Sequence, residues 1–542
     1  MNAGKTKSRF FTGVLALTIG NFLVKILGLA LKVPLRNLMG DGGMAYYNNA
    51  YDIYASLFLI ATAGLPSAIA ILISESRVRG RRREAKRVFR IATLIFLAAG
   101  LAGTLVMVAG APLLEKAYKI TDLRYTIMAI GPTMLFICLA SAFRGYFQSY
   151  QNMYPTSVSE IIEAVGKFAL GILFGTIAFK RGEPPHIIAA YAAAGITAGV
   201  LLGMLYLWVT RVFFRPEKYD VYSDIEPDDS SKKRGEIALA LLSIALPISL
   251  SSSVTGFEAV LDGMILSRRI QQAGFAEQVS NALIGNYRTC AVPLYNLPLA
   301  FVGPIGVSVI PVVAAAVAEG DRKKANDVTG GSIILLSLIL LPCAFGLGFL
   351  SSPIIQLLFG SGKNAENAAP LLSILCCSLL FNGLVSLTST ILHANKCMKE
   401  PLVSTLCGAT VKIVTVYVLA GIRDVNIYAG PVSSFVFVVT ALSMNFFYLY
   451  KKTGFSPRDM AGVLLRALAS SAVCGGAALG VYALLSHYIG IRLSVVVAIV
   501  IAIPVYVAAA VLFRTVRRRE LLLLPKGKKI VSFMERHGLV RD

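Results

Sequence analysis

Residues 211–236 read RVFFRPEKYDVYSDIEPDDSSKKRGE, the longest polar stretch in a chain that is otherwise a succession of apolar runs. Before it, runs between charge and Pro/Gly clusters place spans near residues 10–36, 46–75, 88–111, 124–149, 156–179 and 186–210. After it come spans near 237–266, 283–318, 327–351, 368–394, 402–421 and 426–450, and two more near 460–486 and 493–513 close the membrane part. The expected fold is therefore an all-α integral membrane protein of about 14 transmembrane helices. Its parts are an N-terminal six-helix lobe over 1–210, a cytoplasmic linker over 211–236 and a C-terminal six-helix lobe over 237–450. Two additional helices within 451–514 and a basic cytoplasmic tail over 515–542 complete it.

Composition agrees with that partition. Of 542 residues, 56% are hydrophobic and 15% charged, and mean hydropathy is +0.70, which leaves little chain for soluble domains. The net charge of +23 raises the question of nucleic acid, but the 52 Lys and Arg punctuate apolar runs instead of forming a basic domain, so no nucleic-acid partner is expected. Assigning alternate loops to opposite sides puts most of them on the side of the N-terminus, including those from Arg77 to Arg90 and from Arg211 to Arg234. Both termini are then cytoplasmic. The first apolar run follows Lys5, Lys7 and Arg9 but is long, contains Lys25 and Lys32 and shows no small-residue cleavage site, so it is expected to be a retained span and not a signal peptide. Basic residues beside Leu521 to Leu524 in the tail leave two readings open, an interfacial helix on anionic lipid or a plain solvated tail. The eight cysteines show no CxxC spacing and are read as reduced packing residues.

The two six-span blocks echo one another. Gly80-Arg81-Arg82-Arg83-Glu84-Ala85 after the second span matches Gly320-Asp321-Arg322-Lys323-Lys324-Ala325 after the eighth, and Lys167 within the fifth matches Lys412 within the eleventh. An even number of spans returns each block to the side where it started, so the repeats are parallel and related by an axis along the membrane normal. That is the plan of a two-lobed transporter.

Several cations fall at membrane depth, among them Lys25, Lys32, Arg144, Lys167, Arg288, Lys412 and Arg466. Each would cost about 2.5–3.5 kcal/mol facing lipid at the helix centre, so they are expected to face a wet cleft, a partner or an interface. Lys25, Lys32 and Arg36 follow i, i+7, i+11 and lie within about 20° of one stripe on the first helix. On the seventh, Ser251, Thr255, Glu258 and Asp262 follow i, i+4, i+7, i+11. Two readings stay open: the stripes neutralise one another, or their pairing holds an empty site that an anionic substrate or a coupling cation disrupts. Glu160, Glu163 and Lys167 form a third stripe, where Glu163 and Lys167 at i, i+4 are expected to satisfy each other. Catalytic signals are absent. The four histidines are dispersed, HExxH and GxSxG do not occur, and Gly360-Ser361-Gly362-Lys363-Asn364 lacks the upstream Gly and the Ser/Thr of a nucleotide-binding loop. No enzyme activity, cofactor or metal is expected.

Phe143-Arg144-Gly145-Tyr146-Phe147-Gln148, then Gln151-Asn152-Met153-Tyr154-Pro155-Thr156, then Glu160-Ile161-Ile162-Glu163, resemble the polysaccharide transporter branch of the multidrug/oligosaccharidyl-lipid/polysaccharide exporter superfamily. The likeness is to its stage V sporulation protein B-like and MurJ-like lipid II flippase members. Gly64-Leu65-Pro66-Ser67-Ala68-Ile69 and Asn296-Leu297-Pro298-Leu299-Ala300 extend it over the twelve-span core. The resemblance implies two lobes forming a V around a cationic cavity that binds the pyrophosphate of a polyprenyl-linked saccharide. It implies a plasma-membrane flippase or exporter working by alternating access in membrane lipid; coupling to sodium or a proton is an expectation drawn from the acidic stripe of the seventh helix. In the flippases, cavity cations lie on the first, second and eighth helices. Lys25 and Lys32 match the first and Arg288 the eighth, whereas the second has no mid-span arginine, only Asp52. The expected substrate-binding set is thus Lys25, Lys32, Arg36, Asp52, Arg144 and Arg288, with Glu258 and Asp262 for ion coupling. The alternatives are a cation-coupled multidrug antiporter of the same fold, carried by Glu160, Glu258 and Asp262, and a non-transporting sporulation or division scaffold.

Overall fold

The computed structural model describes residues 2–62, 65–150, 152–214, 233–360, 362–395, 397, 399–456, 460–513 and 515. Most of the expected linker and almost all of the basic tail, Leu521 to Leu524 included, lie outside the described residues. Hydrocarbon offers a backbone no hydrogen-bond partners, so each apolar run must satisfy its own amides, and the described residues are almost wholly helical. Ten helices among them are long and apolar enough to cross a membrane. The protein is a multi-pass membrane protein.

The chain divides into two compact units, residues 1–285 and 286–542. The first contains α1 (Asn2–Thr62), α2 (Leu65–Val78), α3 (Arg82–Tyr118), α4 (Leu123–Ile130), α5 (Thr133–Ser149), α6 (Tyr154–Lys180), α7 (Pro185–Phe213) and α8 (Arg234–Gln272), and nearly all of α9 (Glu277–Asn286). The first two expected spans are continuous in α1 as far as Thr62. Gly40, at φ 69° and ψ 179°, lets the helix fold back at a conformation that a side chain would strain. A straight helix would hold residues 32 and 48 on the order of 24 Å apart, yet the Lys32 ammonium donates to Asn48 Oδ1 at 3.0 Å, so α1 is a helical hairpin.

A tight glycine seam in this unit joins α6 to α7. A Cβ on Gly166 would lie 2.8 Å from Gly199 Cα, and one on Gly195 would lie 2.4 Å from the Gly171 nitrogen. Only glycine admits that approach. Where lipid is as apolar as leucine, close backbone packing is what holds helices together. The core beside it is built from Leu35, Met44, Phe96, Tyr118 and Phe147, whereas Leu94, Leu101 and Leu105 on α3 face outward, as lipid-contacting residues must. α8 packs against α1, α2 and α3, which groups the seventh span with the first unit even though the linker precedes it in sequence.

The second unit opens with a buried π-helical turn, Tyr287–Ala291, then α10 (Val292–Asn296), a 3₁₀ turn over Pro298–Phe301 and α11 (Val302–Ala318). α12 (Arg322–Phe349), α13 (Ser351–Phe359), α14 (Lys363–Ala394), α15 (Lys399–Leu419) and α16 (Ala429–Thr453) follow, and then the closing pair α17 (Ala461–Ile489) and α18 (Ile491–Leu512). The closing pair packs onto this unit: Tyr506 on α18 donates its hydroxyl to the Leu338 carbonyl of α12 at 2.7 Å, and Gly475 on α17 admits Phe345 and Phe349.

Candidate substrate and ion site

The cationic stripe occupies the outgoing limb of α1. Lys25 is exposed, and Lys32 is half-buried with its bond to Asn48. Arg36 chelates Asp41 across the Gly40 bend, Nη2 to Oδ2 at 3.2 Å and Nε to Oδ1 closer still. The Asp41 side chain is only 3% exposed, so this ion pair is shielded and braces the fold-back.

The returning limb carries Asp52, half-buried, and then Ser56. The Ser56 hydroxyl lies 2.7 Å from the carbonyl oxygens of both Asp52 and Gly256 and donates between them. Gly256 permits that contact, since a Cβ there would come within 3.0 Å of Ser56 Cα. The acidic stripe begins just beyond, with Glu258 half-buried and Asp262 buried, so the structure brings the acidic segment of α8 to the returning limb of α1. The side chains of Ser251 and Thr255 lie outside those described.

Arg144 has a different setting. Its Nη2 donates to Glu163 Oε2 at 2.9 Å and its Nε to Ser159 Oγ at 3.4 Å, while the Lys167 ammonium donates to Glu163 Oε1 at 2.6 Å. Glu163 therefore serves two cations, one with each oxygen, in a cluster whose side chains are between 11% and 21% exposed. The i, i+4 spacing foretold the Lys167 bond. It could not foretell Arg144, which arrives from α5. Tyr47, Tyr51 and Tyr54 of α1 lie within electrostatic reach of Lys167.

Arg288 and Lys412 are buried in the second unit, Arg288 on the π-helical turn and Lys412 on α15. In the same unit Tyr295 accepts at its hydroxyl from Ser378 Oγ and from Asn382 Nδ2, both at 2.9 Å, with Lys412 near enough to act on it electrostatically. That polar knot went unread in the sequence. Its signal is the i, i+4 pair Ser378 and Asn382 within an otherwise apolar span.

Ten helices of membrane-spanning length among the described residues, with charged side chains within several of them, define a multi-pass membrane protein. The structure superposes on the solved inward closed conformation of the lipid II flippase MurJ with a TM-score of 0.65, at 19% identity over 92% of this chain and 98% of that one. The chain belongs to the polysaccharide biosynthesis protein family, whose model matches residues 10–317, more than half its length. A second model, MatE, matches residues 289–418. Among curated relatives, the lipid II flippase MurJ of Bacillus subtilis (strain 168) is 21% identical over 98% of this chain and 99% of its own. Stage V sporulation protein B of the same organism is 25% identical over 76% and 78%. The family resemblance read from the motifs is thus borne out.

Proposed function

We propose that the protein is a plasma-membrane flippase that moves an undecaprenyl-pyrophosphate-linked saccharide, lipid II or a related cell-wall or capsular precursor, by alternating access between two six-helix lobes. Both termini then lie in the cytoplasm, and the protein transports without catalysing a covalent step. The observation that carries this reading is the stripe of Lys25, Lys32 and Arg36 on a membrane-depth helix of a chain whose relatives include lipid II flippases. A pyrophosphate cannot enter hydrocarbon unaided. Fixed ammonium and guanidinium groups in a wet cleft provide charge-assisted hydrogen bonds along its path while the lipid tail stays in the bilayer. Asp52 and Arg288 complete the headgroup set. Arg144 joins it only if a phosphate replaces Glu163 as its partner. Glu258 and Asp262 are the ion-coupling pair, because two carboxylates one turn apart in a partly dry setting repel unless a cation or proton intervenes.

The MatE match over residues 289–418 favours a second reading, a cation-coupled multidrug antiporter resting on Glu160, Glu258 and Asp262. Reconstitution into liposomes decides between them. Labelled lipid II, a second polyprenyl-pyrophosphate sugar and a cationic dye are offered separately. Movement of a lipid-linked sugar is the expected result. Movement of the dye alone overturns the flippase reading in favour of the antiporter, and movement of none leaves the scaffold role.

A further inference from the structure

Where α3 ends, its last carbonyls have no partner in their own helix, and the chain turns away through two non-glycine residues in left-handed backbone, Lys119 at φ 52° and Asp122 at φ 67°. Such a turn persists only where its surroundings over-determine it. Here they do so from α8 and α9. Arg268 donates from Nε to the Ala117 carbonyl at 2.5 Å, Ser267 from its hydroxyl to that of Tyr118 at 2.7 Å, and Gln271 from Nε2 to that of Lys119 at 2.9 Å. Glu277 at the start of α9 accepts from the Thr121 amide at 2.7 Å and from its hydroxyl at 3.1 Å. Tyr118 is fully buried at the centre and Ser267 is buried beneath it, while Arg268, Lys119 and Gln272 stand at the surface.

The helix end is therefore capped by another helix. Three bonds from α8 and two from α9 tie the end of the third span to the start of the second repeat, and every one uses a side chain of α8 or α9. Four of the five are exposed and only the Ser267 bond is buried, and side-chain bonds of this kind break without unfolding either helix. We propose that this turn and the ends of α8 and α9 form a latch that closes the outer side of the transport pathway and parts once per cycle. The strained turn supplies part of the drive to open. The proposal rests on the transporter reading and its orientation, which puts the start of α3 in the cytoplasm and this end outside.

The test uses the full chain in liposomes with spin labels at Lys116 and Gln272. In the unaltered latch one short distance dominates. Arg268→Met with Gln271→Met removes two donors while keeping their stems, and the population with a longer distance should rise on the order of tenfold, as two lost bonds of ordinary strength require. The same distance distribution in both proteins overturns the latch. A second protein, with Thr121→Cys and Glu277→Cys, locks the latch when oxidised: flipping of labelled lipid II should fall to background and return on reduction. Undiminished flipping with the bond formed also overturns the proposal. If the unlocked protein moves no lipid-linked sugar, the functional reading falls, and the distance measurement still judges the latch by itself.

Discussion

Lys25 and Lys32 on the outgoing limb of α1 and Arg144 and Lys167 between α5 and α6 are basic side chains at membrane depth, and their settings differ. Between α5 and α6, Arg144 and Lys167 divide a single carboxylate, oxygen by oxygen. On α1, Lys32 donates to the neutral amide of Asn48 and Lys25 stands exposed. A charge bonded to a buried counter-charge is committed to the fold. An ammonium that is exposed, or half-buried with an amide among its partners, stands where a phosphate can reach it. The comparison sets Arg144, Lys167 and, across the Gly40 bend, Arg36, each bonded to a buried carboxylate, apart from the more accessible Lys25 and Lys32.

The sharpest way to break the contrast is Glu163→Gln. It leaves two buried cations without their shared counter-charge, so stability in detergent, followed by thermal or denaturant unfolding, should fall by about 3 kcal/mol or more. An unchanged midpoint would show that water already solvates the cluster. Next in size is Gly199→Leu, which drives a side chain into the α6 backbone at the Lys167 nitrogen. Overpacking should cost about 1–3 kcal/mol and move the ion cluster with it, measured by the same unfolding curves.

Lys25→Ala and Lys32→Ala should behave differently. Membrane insertion is retained, the unfolding midpoint moves by about 0.5 kcal/mol or less for the exposed Lys25 and by about 1 kcal/mol for Lys32, which loses its bond to Asn48, while flipping of lipid II in liposomes drops at least tenfold. Normal flipping by both variants would remove the stripe from the site. The last comparison is Glu258→Gln with Asp262→Asn, which keeps the shape of both side chains and removes their charge. Headgroup binding is retained, and the dependence of flipping rate on sodium, pH or membrane potential disappears. Persistence of that dependence in the double variant would assign coupling elsewhere.

How much of this was legible beforehand follows from the range of each interaction. The pattern of apolar runs, the parallel repeat and the family motifs are local or periodic features, and they sufficed for the helical membrane fold. The Glu163–Lys167 bond was legible because i, i+4 neighbours on one helix must meet. The α6/α7 seam was legible too, in Gly195, Gly199 and Gly203 at four-residue spacing, although the expected spans were drawn without it.

The sequence by itself determined that the chain crosses a membrane many times and that its first helix carries cations along one face, because hydrophobic transfer and helical periodicity act over a few residues at a time. Only the tertiary structure decided that Arg144 shares Glu163 with Lys167, that Gly40 folds Lys32 back onto Asn48, and that α8 caps the end of α3. Those contacts join residues far apart in the chain. Helix rotation, crossing and the position of a kink settle which side chains face one another, and packing sets these once all the helices are present.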